Sequence, residues 1–193
     1  MKFFGISLLG YALLVAVGCA PGFDSTLRVD GIPLPAERAV EDRLSGVRFC
    51  VDPITDGRSN SAVAEIGERE LLPESDIAAA AARIISSRLR DAGGRPSQYN
   101  CTAVGGKLLN WKVRVLPEFP SSTASATAEI QLTVAPSPGG QPKFSTTYSA
   151  EFTVKNPLLR EHGTEEAFTT ALAYAIDGAI EDERFVGVLR GVQ

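Results

Sequence analysis

The sequence predicts an α/β fold of the α+β kind: a two-layer sandwich in which a mainly antiparallel sheet of four to six strands carries two helices packed on one face. Three observations carry that prediction. Residues 107–116, 123–134 and 143–155 alternate apolar and polar side chains with a period of two, the pattern of strands with one buried and one wet face. Two other segments, near 76–92 and 165–182, repeat their apolar residues at helical spacing. The order strand, helix, strands, helix lets both helices bury their stripes against one face of the sheet.

The chain begins with Lys2 and an apolar run from Phe3 to Val17, interrupted only by Gly5, Ser7 and Gly10. These are the charge and the apolar core of a secretory signal. At roughly fifteen residues the run is short of the about twenty that a membrane-spanning helix needs. It ends on Ala16-Val17-Gly18-Cys19, which resembles the lipobox of bacterial lipoproteins, with alanine at the position where leucine is more usual. The resemblance implies cleavage after Gly18 and acylation of Cys19. Ala20 follows, not the aspartate that commonly retains such proteins in the inner membrane, which implies the periplasmic face of the outer membrane. Ordinary signal peptidase cleavage and an uncleaved anchor are the competing readings. The cysteine count favours acylation, because Cys50 and Cys101 then remain as an even pair, as expected in an oxidising compartment.

Residues 1–18 are therefore read as a signal peptide, 19–45 as a lipidated flexible tether, and 46–193 as one periplasmic domain. In the tether Pro21, Gly22, Gly31, Pro33 and Pro35 break every periodic pattern, and eight charged residues keep it solvated. A flexible chain of that length spans about 25 to 30 Å. Once Lys2 leaves with the signal, 18 basic side chains face 23 acidic ones, a balance that argues against nucleic acid as a partner. Acylation, not a basic amphipathic stretch, is what would hold the protein to a membrane.

Within the domain, "GVRFCV" at 46–51 is a short apolar strand. A helix follows over "DIAAAAARIISSRLRDAGG", with Ser75 as N-cap, Asp76 complementing its positive start, and Gly93, Gly94 and Pro96 ending it. In the next strand Leu109, Trp111, Val113 and Val115 share the buried face; the spacing makes Trp111 a core residue, not a sugar-stacking platform. The strand over 123–134 turns through "APSPGGQP" into the strand over 143–155. The last helix runs from about Glu165 to Asp182 with Thr164 as its cap, and Phe185, Val188 and Leu189 then tuck the terminus onto the core.

Cys50 lies on the first strand and Cys101 just after the first helix. A right-handed crossover sets those two segments side by side, so a disulfide is geometrically reasonable, with two buried free thiols as the alternative. The closed loop of about fifty residues would stabilise the fold by roughly 4 kcal/mol in the chain-entropy description.

Some twenty residues separate the first strand from the first helix, where two to six are usual, so this long segment is the candidate functional surface. Asp52, Asp56, Arg58, Asn60 and Glu65 are its polar residues, and Asp56 and Arg58 are the candidate ligand or partner contacts. The plainer reading makes Asp56-Gly57 an ordinary turn, pairs Arg58 with a neighbouring carboxylate, and folds Val63 to Leu72 into a small hairpin.

The lipobox, the Asp56-Gly57-Arg58 turn, Ile66-Gly67, the helix ending in "LRDAGG", the alternating strands and the closing "AIEDERFVGVL" together resemble the YajG-type family of proteobacterial envelope lipoproteins over about residues 46–190. The resemblance implies an envelope location and a small α/β fold more than a mechanism. The cysteine pair departs from that family's pattern.

Catalysis is not expected. His162 is the sole histidine and is read as a solvated loop residue, so zinc sites and Cys-His catalysis lack ligands. No nucleophile elbow, phosphate loop or dinucleotide fingerprint occurs, and no cofactor or metal is implied. Two functions from different classes remain. One is an auxiliary or structural lipoprotein that docks on an envelope protein. The other is recognition of peptidoglycan or another glycan through residues 52–75, because "ITDGRSN" resembles the loop of OmpA-like domains, although the N-x-x-L-S-x-x-R helix that follows there is absent here.

Overall fold

A computed structural model describes residues 26–27, 42–117, 121–156 and 161–191. In chain order the elements are β1 Thr26–Leu27, β2 Arg48–Asp56, β3 Ala64–Ile66, β4 Arg69–Pro73, α1 Ile77–Asp91, β5 Arg95–Pro96, β6 Thr102–Pro117, β7 Ser122–Ala135, β8 Phe144–Asn156, α2 Glu161–Glu181 and α3 Glu183–Gly191.

The α/β class holds, and the details of the sandwich change. The sheet has eight strands and is mixed: β6, β7 and β8 form a long antiparallel meander, while β2 and β3 both lie parallel to β6 along its other side. β6 is long enough to pair with β2 over Phe49 to Asp56 and then with β3 over Ala64 to Ile66. The sheet curls around α2 as a half-barrel instead of lying flat beneath two helices. The sequence of α2 explains this. Every residue from Ala167 to Ala173 is buried, so the helix has no wet face there, and alanines let the strands close in on several sides.

The register shifts between Val51 and Ile54 of β2 and again in β6, and the break in β6 corrects an expected face. Between Leu108 and Asn110 the β6–β7 pairing shifts by one residue, as a β-bulge does. Leu108 is therefore fully buried and Leu109 is not. Trp111, Val113 and Val115 are buried as predicted. Trp111 stacks on Phe168 of α2, with ring centroids 4.0 Å apart and planes 7° from parallel, and its Nε1 donates to the Phe168 carbonyl at 2.7 Å. The central sheet and the central helix are thus locked at one point.

Helix boundaries also shift from the expected ones. Asp76, not Ser75, caps α1: its carboxylate accepts from the backbone N–H of Ala78 and Ala79 at 2.9 and 3.2 Å, the position where an acidic side chain satisfies orphan donors. Gly93, at φ +89°, ends the helix, with Gly94 N–H returning to the Leu89 carbonyl at 3.0 Å. α2 begins at Glu161, so Thr164 sits within it as a buried residue and does not cap it, and His162 lies in its first turn, not in a loop. The tail expected to tuck back is a third helix, α3, whose Phe185, Val186 and Leu189 are buried, and Val188 packs against the core half-buried.

The crossover through α1 places β2 beside β6, with Phe49 opposite Thr102. The expected disulfide between Cys50 and Cys101 is present, with Cα atoms 5.6 Å apart and a sequence separation of 51. The signal segment and Cys19 lie outside the described residues, as does most of the expected tether. Two pieces of that tether are part of the fold. Thr26–Leu27 adds a parallel strand to β4, and the turn at Asp42–Ser45 buries Leu44 completely, with Leu44 N–H bonded to the Ala92 carbonyl at 2.7 Å.

Candidate functional site

The long segment after the first predicted strand is shorter as a loop than the sequence suggested. β2 runs on to Asp56, Gly57 N–H still bonds the Leu108 carbonyl at 2.9 Å, and β3 and β4 form the expected small hairpin. What remains is a turn from Gly57 to Val63.

Arg58 holds this turn. Its Nε and Nη2 donate to the two carboxylate oxygens of Asp56 at 3.0 and 2.9 Å, and its backbone N–H donates to Oδ1 at 3.2 Å. Nη1 reaches across the turn to the Ala62 carbonyl at 3.3 Å. The guanidinium is only 5% exposed while the Asp56 carboxylate is 38% exposed. The Arg58 side chain, opposed by partial burial and aided by the Arg58 backbone N–H, holds the Asp56 carboxyl below its ordinary range. Asn60 completes the turn: its Oδ1 accepts from Ala62 N–H at 2.9 Å, and its Nδ2 donates to Glu70 of β4 at 3.4 Å.

Asp56 and Arg58 are thus brought together, and what they bind is each other. Glu65 faces Arg114 of β6, accepting at 3.0 and 2.9 Å. Asp52 does not join the group. Its Oδ2 accepts from Gly139 N–H in the β7–β8 turn at 3.1 Å, and a Cβ on Gly105 of β6 would lie 3.3 Å from Asp52 Cβ and 3.2 Å from Thr133 Oγ1. A pocket of about 80 Å³ lies between the turn and β6, lined among others by Arg58, Asn60, Glu65, Asn110 and Lys112. Ligand pockets usually run from about 300 to 1,000 Å³, so this one suits a few waters or a small ion and not a sugar ring. Among the described residues, no three His, Cys, Asp or Glu side chains are grouped to hold a metal ion.

Two interactions that sequence reasoning missed lie outside this turn. Arg88 of α1 and Asp177 of α2 form a bidentate pair at 2.8 and 2.7 Å, with side chains 4% and 1% exposed. Their signal was present: each is a charge on an otherwise apolar helical stripe, and the signs are opposite. The second is Asp182 between α2 and α3, which accepts from the Tyr148 hydroxyl at 2.9 Å, from Arg184 N–H at 2.9 Å and from its guanidinium at 3.1 Å.

No family model matches the sequence, and no curated protein matches it. Among solved structures, protein XCC0632 from Xanthomonas campestris, assigned to the family model DUF330, is 11% identical, with 87% of this chain and 99% of that one covered at a TM-score of 0.55. That level shows a shared fold. A minor lipoprotein from Acinetobacter baumannii is 10% identical over 69% of this chain and 89% of that one at a TM-score of 0.39. The hypothetical protein CT253 from Chlamydia trachomatis is 10% identical over 75% and 98% at 0.41; neither of these two bears on the fold. The XCC0632 match supports the α/β class, and none of the three names the YajG-type family.

Proposed function

We propose that the protein is a non-catalytic bacterial lipoprotein of the YajG type, held by acylated Cys19 at the periplasmic face of the outer membrane, where it serves as an auxiliary or structural part of an envelope assembly. The observation that carries this reading is the use of the three cysteines: two are bonded to each other, and the third follows the apolar run and small residues of a lipobox. No helix of the described residues is long and apolar enough to cross a membrane, so an acyl anchor is the route to the membrane that this reading requires.

The geometry changes how such an anchor would act. Cys19 precedes Thr26 by seven residues, and Thr26 is already paired to β4. Seven extended residues reach at most about 25 Å, so the β1 edge would be held near the bilayer. The pairing of Asp56 with Arg58 and the small pocket beside them favour a protein partner over peptidoglycan.

The test is intact mass and fractionation of the full chain in a Gram-negative host, wild type beside Cys19→Ala. Acyl mass on residue 19, with outer-membrane fractionation lost in the variant, is expected. A soluble, unacylated wild type would overturn the reading.

A further inference from the structure

The sheet's free edges are unlike one another. β1 and β5 are two residues long, and β5 contains Pro96; short strands and proline are devices that blunt an edge. β8 has neither. It runs thirteen residues without proline or glycine and keeps an unbroken register with β7 from Phe144 to Asn156. Among the described residues it pairs with β7 alone. Its outward side chains are exposed and its inward ones, such as Tyr148, Ala150 and Phe152, are half-buried, whereas the β7 residues beside them, Ile130, Ala128 and Ala126, are buried. Among the described residues the helix layer therefore covers β8 only in part, through Phe185 on Phe144 and Tyr148 and Tyr174 on Phe152.

We infer that this edge is an interface between two copies of the chain, β8 pairing antiparallel with β8 of a second copy about a two-fold axis through Ala150. Ala150 is the midpoint of the strand, so this register alone uses the full length, about 44 Å at strand rise. It sets Tyr148 opposite Phe152 twice, Thr147 opposite Thr153, Ser149 opposite Glu151 and Ser145 opposite Lys155. Aromatic and β-branched cross-strand pairs are favourable, and no like charges face each other. A foreign strand would need none of this self-complementarity. A two-fold axis normal to the sheet also keeps the helices of both copies on the same side. The inference goes beyond the lipoprotein reading and does not depend on it.

The test places a cysteine on the proposed axis. Ala150→Cys in the full chain, taken from whichever fraction holds the protein and oxidised, should give a band of twice the monomer mass on a non-reducing gel. Thr147→Cys should give about tenfold less, because two residues 147 would lie about 20 Å apart. In the Ala150→Cys background, Thr147→Lys with Thr153→Lys opposes like charges and should cut the doubled band about fivefold, while Thr147→Lys with Thr153→Glu should restore it. Both positions are exposed in the single chain, and recovery in the Lys/Glu variant separates loss of pairing from loss of folding. A monomeric Ala150→Cys, equal crosslinking from residue 147, or a product whose mass shows a different protein would each overturn the inference.

Discussion

Two arginine–aspartate pairs in this molecule share one geometry and differ in everything around it. Arg88 and Asp177 are 89 residues apart, nearly fully buried, and tie α1 to α2. Arg58 and Asp56 are two residues apart, with the carboxylate facing water, and tie a turn to itself. Both are bidentate, which fits the guanidinium fork to a carboxylate. The difference teaches that the same contact stabilises in proportion to what its partners lose without it. A buried ion whose partner is removed keeps its desolvation cost, whereas an ion at the surface regains water.

The largest expected effect follows from that asymmetry. Arg88→Met leaves Asp177 buried without its cation and should cost about 3 to 5 kcal/mol, read as a shift in the urea midpoint. Arg88→Met with Asp177→Leu removes both charges and should recover most of the loss. A double variant as unstable as the single one would mean that the pair's hydrogen bonds, not the stranded charge, set its worth. The comparison then breaks if Asp56→Ala costs as much. We expect about 1.5 kcal/mol for it, because Arg58 is tucked in but lies beside solvent and keeps the Ala62 carbonyl. Hydrogen exchange should localise the effect of Asp56→Ala to residues 58–63, while that of Arg88→Met should spread through both helices.

The two pairs were also unequally legible in the sequence. An arginine two residues after an aspartate, in a turn marked by glycine, can be paired on paper, and the plainer reading gave Arg58 a neighbouring carboxylate without naming which one. Arg88 and Asp177 needed the relative placement of two helices, which no local pattern supplies. The same divide runs through the fold. The alternation of β7 was readable because every position from Ala124 to Val134 keeps its face. The face of β6 was misread at Leu109 because a bulge, which depends on the partner strand, moves the period by one. The curl of the sheet was hidden for a related reason. It depends on α2 being buried all round, and the alanines and threonines of 167–173 signal that weakly.

Asp182 lies between the two pairs in character, and it supplies the smallest and most pH-sensitive effect. Its carboxyl is pulled from 3.8 down to about 2, chiefly by the Arg184 side chain, against partial burial and with help from the Arg184 backbone N–H and the Tyr148 hydroxyl. The folded value lies below the unfolded one, so the contribution is fully present above pH 3.8 and is lost as pH falls through about 2. Burial and the neighbouring Asp182 in turn raise the Tyr148 hydroxyl well above its ordinary range, so it stays a donor throughout. Tyr148→Phe removes one of several donors to Asp182 and should cost about 0.5 kcal/mol at neutral pH. It should also move the Asp182 titration upward, measurable by NMR of the carboxyl group, and the stability difference should vanish once Asp182 is protonated in both proteins. An unchanged titration would assign the low value to Arg184 alone, leaving Asp182 with the same local, two-residue logic as Asp56.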